Sequence, residues 1–407
     1  MTTLQLPAAV TAGLDRSPVP AYVVGTPRLL SATPPAVPER SLRWLTDATR
    51  DVALLGRGGA AFPVAAKLAA AGRRAEVLVN GCEGEPASWK DRVLMRRSPG
   101  LVVDGALLLG RALQSREITI AVGDPASAAA LRSAAAEREG GRRVHIVPAS
   151  SAFVGGEVQA LVNGINGRAA VPNGRRVLPS ERGLGGRPTF ASNVETFAQL
   201  ALLAALGPDG YAEVGTAAEP GTALATVHQT GRPLAVVEVP HGTPLTALVG
   251  SSGPVLLGGY HGTWSPTPTL IVERHALRAA GLTWGAGVVA VLPAETCAIG
   301  ELARVAAWLA AESAGQCGPC VFGLRSIAAD LAGLARGETV DVAALRRRLG
   351  LVDGRGACAH PSGAVRFVAT GLAAYAEELR AHEDGRGCGR RTVGALPLGT
   401  LTAGAGR

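Results

Sequence analysis

Two rhythms of apolar and polar positions alternate through the first half of the chain. Residues 41–55 (SLRWLTDATRDVALL) carry apolar side chains at helical spacing and close on G-R-G-G at 56–59. A second helix is expected to open at Pro63, because proline suits the first turn, and to stop at Gly72. Three short β-rich runs follow: EVLVN (76–80), EITIAV (117–122) and RVHIVP (143–148). Helical stretches over 100–113 and 125–138 separate them, and another over 193–206 closes the block. Strands alternating with helices predict an α/β domain with a parallel sheet over 46–210. The rhythm then changes. Between 219 and 275 the runs ATVHQTG, AVVEVP, TPLTALV and PVLLGGY are broken by Gly and Pro at short spacing, predicting a small mixed β domain. Beyond Gly300 four helical stretches predict a bundle over 298–385. Residues 1–45 are proline-rich and read as an extended arm, and 386–407 as a flexible tail.

Composition narrows the function classes. A chain of 407 residues with 47% hydrophobic and 18% charged residues holds roughly two to four folded domains and is not a disordered tail. The net charge of +8 lacks the Lys/Arg runs and aromatic platforms of nucleic-acid binding, so no nucleic acid is expected as a partner. A basic surface suits an acidic protein partner instead. The longest apolar stretch, FAQLALLAAL (197–206), is too short to span a membrane and reads as a buried helix. No basic segment leads into an apolar stretch at the N-terminus, and the six cysteines are few and clustered, so a cytoplasmic protein is expected. The 40 Lys+Arg residues include only two lysines, Lys67 and Lys90, both in the stretch that carries the first motifs.

Four polar segments carry candidate chemistry. The first, GRGGAAFPVAAK (56–67), sets glycines before a helix, where backbone N–H groups and the helix dipole favour phosphate and Lys67 adds a charge. A plain tight turn explains the same residues, and the spacing is not that of a standard dinucleotide loop. The second, VNGCEGEPASWKDR (79–92), lies beyond a strand end, where α/β proteins place ligands; a polar loop with an ion pair is the alternative. The third is FVGGE (153–157). The fourth is GGRPTFASNVET (185–196), whose Asn193 serves either a polar ligand edge or a helix cap. In the C-terminal region C-G-P-C at 317–320 has the spacing of thioredoxin-type redox sites, but a helical stretch, not a strand, precedes it. With Cys358 in a Gly-rich turn, an iron–sulfur cluster fits, and zinc with His360 is the alternative.

In this order the segments resemble the NADH-binding flavoprotein subunit of respiratory complex I and its relatives in soluble hydrogenases and formate dehydrogenases. The resemblance covers residues 45–385. It implies an FMN-binding α/β domain, a ubiquitin-like β-grasp domain of the SLBB type, and a C-terminal helical-bundle iron–sulfur domain. By the same resemblance Gly56, Arg57, Gly58, Gly59 and Lys67 hold the FMN phosphate. Asn80, Glu83, Gly156, Glu157 and Asn193 hold the flavin ring and ribityl chain. Phe62, Glu85 and Arg187 lie near the nicotinamide dinucleotide, with Glu85 the candidate catalytic residue. Cys317, Cys320 and Cys358 are ligands of a 4Fe-4S cluster. The implied activity is oxidation of NADH or NADPH, with electrons carried through FMN and the cluster to a ferredoxin-like or membrane redox partner subunit. The protein is then peripheral to the inner membrane through that partner.

The sequence also departs from the family pattern. Ala314 stands where the first cluster cysteine is expected, leaving a 3Fe-4S centre or a 4Fe-4S cluster completed by His360, Cys388 or water. Val158 replaces the second Glu of G-E-E, Cys82 an Asp, Ala61 the third loop glycine and Ser192 an Asn. The phosphate elements are kept while dinucleotide contacts change, so FMN is better supported than NADH. Loss of a negative charge at Val158 is compatible with a 2′-phosphate. A non-catalytic scaffold that no longer binds NADH is the competing reading.

Overall fold

A computed structural model describes residues 18–174, 177–250 and 253–399. Strand β1 (Ala21–Val23) is followed by helices α1 (Leu42–Asp51) and α2 (Val64–Ala71), strand β2 (Glu76–Gly81), α3 (Lys90–Arg97) and α4 (Pro99–Leu113). Then come β3 (Ile118–Val122), α5 (Pro125–Ala136), β4 (Val144–Pro148), α6 (Val158–Ile165), β5 (Thr189–Asn193) and α7 (Val194–Ala212). A second sheet region follows: β6 (Thr222–His228), β7 (Ala235–Pro240), α8 (Leu245–Val249), β8 (Val255–Leu257), β9 (Thr263–Ser265), α9 (Arg274–Ala279) and β10 (Val288–Val291). The chain ends in α10 (Ala298–Ala311), α11 (Arg325–Ala335), α12 (Val342–Val352), α13 (His360–Ala374) and α14 (Ala376–Glu383).

The first sheet is parallel throughout, in the order β4-β3-β2-β5. Its strands are apolar on both faces because helices cover both. Val77 and Val79 join the large core under α4 and α7, whereas Leu78 packs with Leu161 and Val162 of α6. Strand order reverses around β2, whose neighbours are β3 on one side and β5 on the other, so a crevice opens at their carboxyl ends. Register pairs Asn80 with Asn193 there, and Glu76 with Thr189 at the opposite end.

The second sheet is mixed, in the order β1-β7-β6-β10-β8-β9. Two expected boundaries move. The arm is built into this sheet: β1 pairs in parallel with β7, and the amides of Arg28, Leu29 and Leu30 close on the buried Glu238 carboxylate. The β region also extends past 275, because β10 fills the centre between β6 and β8.

The last helical stretch divides into α13 and α14 at Tyr375. The tail is not free between 391 and 399. Cys297 N–H donates to Arg391 O, and the buried Glu301 accepts from the amides of Gly394 and Ala395. Leu396 enters the helical core at 1% exposure. The physical reason is the buried Glu301 charge, which needs the donors that the tail supplies. Residues 1–17 and 400–407 of the arm and tail lie outside the described residues. Among the described residues no helix is long and apolar enough to cross a membrane.

Candidate flavin and iron–sulfur sites

The glycine loop is pinched at its base, where Gly56 N–H donates to Phe62 O at 2.9 Å and Leu55 bridges to Pro63. Gly58, Gly59 and Ala60 are exposed at its tip, in front of α2. Gly58 runs against Asn193: a Cβ there would lie 3.3 Å from the Asn193 Cβ, which explains the missing side chain. Lys67 reaches the same face and donates to Ala191 O at 2.9 Å; burial lowers its pKa. Phe62 is 52% exposed beside the loop.

Arg57 differs from expectation. Its amide binds Thr196 Oγ1, but its side chain turns inward, 2% exposed, to His241 Nε2 at 3.0 Å and Glu219 Oε1 at 3.4 Å. Burial favours the protonated Glu219 carboxyl, but Arg274, His241 and Arg57 outweigh it and hold the pKa at about 2. The Arg57 guanidinium therefore belongs to a buried ion network, and only its backbone lines the loop.

Across the crevice Asn80 Nδ2 donates to Gly156 O at 2.8 Å, and its Oδ1 accepts from Cys82 N–H. Gly156 packs against Cys82, since a Cβ would lie 3.4 Å from the Cys82 Cβ. Asn193 caps α7 through Glu195 N–H and donates to Asp91 Oδ2 at 2.7 Å. Lys90 lies beneath, 3% exposed, 2.6 Å from Asp91 Oδ1 and 3.0 Å from Glu195 Oε2. Both lysines thus reach β5, Lys67 at Ala191 and Lys90 at Asn193.

Two glutamates are committed to the fold. Glu83 accepts from the amides of Asp91 and Arg92 and from Ser88 Oγ at 2.6 Å, fixing the start of α3. Glu157 caps α6 through the amides of Gln159 and Ala160. Glu85 is 9% exposed and accepts from Tyr260 N–H at 2.7 Å and Ala87 N–H at 3.2 Å; burial raises its pKa to about 7.

Arg187 does not join the group. It pairs with Glu76 at the amino ends of the strands, about 13 Å along the sheet from the Asn80–Asn193 pair at 3.3 Å per residue. Glu76 is a buried carboxylate and needs this cation, which places the arginine.

Cys317 and Cys320 lie on a loop and a π-type turn (319–324) between α10 and α11, not after a strand, so the thioredoxin arrangement is absent. Cys317 and Cys358 both press on Cys320, whose thiol is pushed up to about 12, chiefly by burial. Burial also raises Cys358, while the His360 amide donates to its sulfur and Glu157 and Cys317 crowd it. The three thiols therefore converge. Ser313 donates toward Cys320, and Ala314 offers no ligand.

His360 is not available as a fourth ligand. Its Nε2 lies 2.9 Å from Leu309 O and its Nδ1 lies 3.0 Å from His261 Nε2, so both nitrogens are engaged. Cys388 lies with Cys297, away from the triad. Sequence reasoning overlooked Ser313 and the Cys297–Cys388 neighbourhood; the Glu378–His382 spacing of i,i+4 just before Cys388 was the available signal.

The donor sets suit two groups: a glycine loop with a lysine for a phosphate at a strand-end crevice, and three converging thiols for an iron–sulfur cluster. Residues 49–202 match the family described as the Nuo51 FMN-binding domain, and residues 301–382 match that of the NADH-ubiquinone oxidoreductase-F iron-sulfur binding region. The class is thus an FMN-binding α/β domain joined to an iron–sulfur binding region. The second F-type subunit of the NADH-quinone oxidoreductase of Rhizobium meliloti is 28% identical over 377 residues, covering 84% of this chain and 90% of that protein. The F-type subunit of the same oxidoreductase in Mycobacterium bovis is 29% identical over 378 residues, covering 83% and 84%. The crystal structure of an NAD+-reducing [NiFe]-hydrogenase in the H2-reduced state superposes with a TM-score of 0.73 at 27% identity, covering 84% of this chain and 63% of that one. Over most of its length the chain is similar to F-type subunits of NADH-quinone oxidoreductase, with the FMN-binding and iron–sulfur regions in that order.

Proposed function

We propose that this chain is a flavin- and iron–sulfur-dependent electron-transfer subunit that oxidises NADH or NADPH and serves a ferredoxin-like or membrane redox partner subunit in the cytoplasm. One observation carries the reading: a single turn, Phe153–Gly156, touches both sites. Gly156 O holds Asn80 of the crevice, and the next residue, Glu157, lies beside Cys358. At the start of the turn Phe153 N–H donates to Glu312 at 3.0 Å, just before the segment that leads to Cys317. The two sites are therefore adjacent, as electron transfer between them requires.

In this reading the backbone of Gly56–Gly59 and Lys67 hold the FMN phosphate, and Asn80 and Asn193 orient the ring and ribityl chain. FMN, when bound, supplies the conversion between two-electron hydride chemistry and single electrons. Cys317, Cys320 and Cys358 hold the cluster, with Ser313 beside them. Phe62 borders the nicotinamide side of the loop. Glu85, with a pKa of about 7, is a carboxyl that holds a proton near neutral pH beside the crevice. Phe322, 74% exposed and two residues beyond Cys320, together with the +8 charge, marks the face for an acidic partner.

A second reading, an electron-transfer or scaffold subunit without NADH oxidation, draws on the commitment of Glu83 and Glu85 to internal bonds and on the remote place of Arg187. Flavin content and stopped-flow bleaching with NADH and NADPH separate them. Bound flavin reduced by either nucleotide supports the first reading. Flavin that stays oxidised with both supports the second, and a colourless protein removes the flavin assignment.

A further inference from the structure

Four side chains that the flavin and thiol sites leave unused meet at the start of α10. Cys297, Glu378, His382 and Cys388 bring one ligand atom each within 4.8 Å of one another, the first three buried and Cys388 half-buried. They come from three separate stretches of chain. Cys297 caps α10, its Sγ accepting from Gly300 N–H at 3.2 Å; Glu378 and His382 share one face of α14; Cys388 lies between Gly387 and Gly389 in the tail. Both glycines have positive φ, 62° and 71°, which folds the tail back over the helix ends.

The protonation pattern suits a metal. His382 Nδ1 lies 2.8 Å from Leu334 O, and a carbonyl only accepts, so the ring proton is on Nδ1. Nε2 is left with its lone pair, and it points at Cys297 Sγ at 3.4 Å. This is the tautomer of a ligating histidine, oriented by a backbone carbonyl as metal-bound imidazoles commonly are. The other donors are held in place. The Cys297 sulfur sits at the helix N-terminus with Gly300 N–H donating to it, and the Glu378 carboxylate accepts from Ile299 N–H and pairs with Arg390. Two thiolates and an imidazole form a soft set that suits zinc.

We propose that Cys297, His382 and Cys388, with Glu378 as the fourth ligand, bind one zinc(II) ion that staples the C-terminal tail to the helical domain. Two thiolates and one carboxylate against Zn2+ leave one negative charge, which Arg390 offsets. The staple acts on the flavin side as well. Beyond Cys388 the tail supplies two amides to Glu301, takes the Trp308 indole N–H on Gly399 O at 3.0 Å, and takes the Tyr260 hydroxyl on Pro397 O. Tyr260 is the residue whose amide holds Glu85.

The test is metal analysis of the full-length protein, purified anaerobically from zinc-supplemented medium. The wild type is expected to hold about one zinc per chain besides its iron, and Cys388→Ser and His382→Gln to lower zinc at least about five-fold with iron retained. Cys320→Ser is expected to lower iron and leave zinc. Wild-type zinc below about 0.1 per chain overturns the proposal, as does zinc unchanged in both ligand variants. A Cys297–Cys388 disulfide in peptide maps of alkylated protein overturns it too. Should a variant fail to fold, cobalt(II) loading of the wild type decides: thiolate-to-cobalt bands support the site, and their absence rejects it.

Discussion

Replacing Lys90 by methionine removes the cation that bridges Asp91 and Glu195 while keeping an unbranched apolar stem. The ammonium lies 2.6 Å from Asp91, 3.0 Å from Glu195 and 3.4 Å from Asn193 Oδ1, and the side chain is 4% exposed. Each of the two charged contacts is worth about 1.5–3 kcal/mol. Loss of the cation leaves the buried Asp91 with only Asn193 as partner and Glu195 with Arg57 at 4.0 Å and the Leu224 amide, so the cost is about 3–5 kcal/mol. At roughly 2–4 °C per kcal/mol for a domain of about 200 residues, Tm falls by roughly 6–20 °C. Asn193 loses the Lys90 contact at 3.4 Å and its partner Asp91 loses its cation, so FMN retained per chain falls as well. Lys90→Met/Asp91→Asn is expected to recover about half of the loss, because one stranded charge is removed. Lys90→Arg does not substitute, because a planar fork must fit a buried slot filled by a compact ammonium. Thermal melts and bound-flavin absorbance read the outcome. A Lys90→Met protein that melts within about 1 °C of wild type and keeps its flavin refutes the assignment of Lys90 to the crevice wall.

Three further outcomes are expected. Glu85 has a folded pKa of about 7 against an ordinary 4.5, so it stabilises the fold fully at acid pH. That contribution is lost as pH rises from about 4.5 to 7, amounting to about 3 kcal/mol; Glu85→Gln should flatten this part of a melting-temperature profile, and an unchanged slope contradicts it. Arg187→Ala should cost about 1–3 kcal/mol in melts and leave FMN content intact, since Glu76 Oε1 loses its partner while Oε2 keeps Ser115 Oγ and Glu117 N–H; loss of flavin would place Arg187 at the site after all. Iron analysis should find iron retained in His360→Gln and lost in Cys320→Ser, whereas loss in both would make His360 a ligand.

The alternation of strands and helices was legible because the parallel sheet is buried on both faces and its strands are short apolar runs. Asn80 and Asn193 were legible for the same reason: strand ends carry the ligand crevice, and register brings these two together. What the pattern hid was the direction of side chains. Arg57 stands in a phosphate-type loop, yet its guanidinium answers Glu219, a residue 162 positions away. Glu83 reads as a ligand contact but serves the amides of its own helix, and Arg187 answers a buried glutamate at the wrong end of the sheet. Boundaries failed where distant segments complete a layer: β1 from the arm and β10 beyond 275 both enter the second sheet. The tail read as free because a run of Gly and Arg says nothing about a buried acceptor such as Glu301. Each miss is a long-range charge or edge that no local window contains.

The central claim is that the crevice and the three thiols form one electron path across the Phe153–Gly156 turn. EPR of the anaerobically purified protein, recorded before and after NADH or NADPH with absorbance near 450 nm followed in parallel, tests it most directly. The account predicts that flavin absorbance falls and that the cluster signal changes with reduction in the same sample. In the Cys320→Ser protein the flavin is still reduced and no cluster signal changes. A wild-type cluster that stays unaltered while the flavin is fully reduced would contradict it.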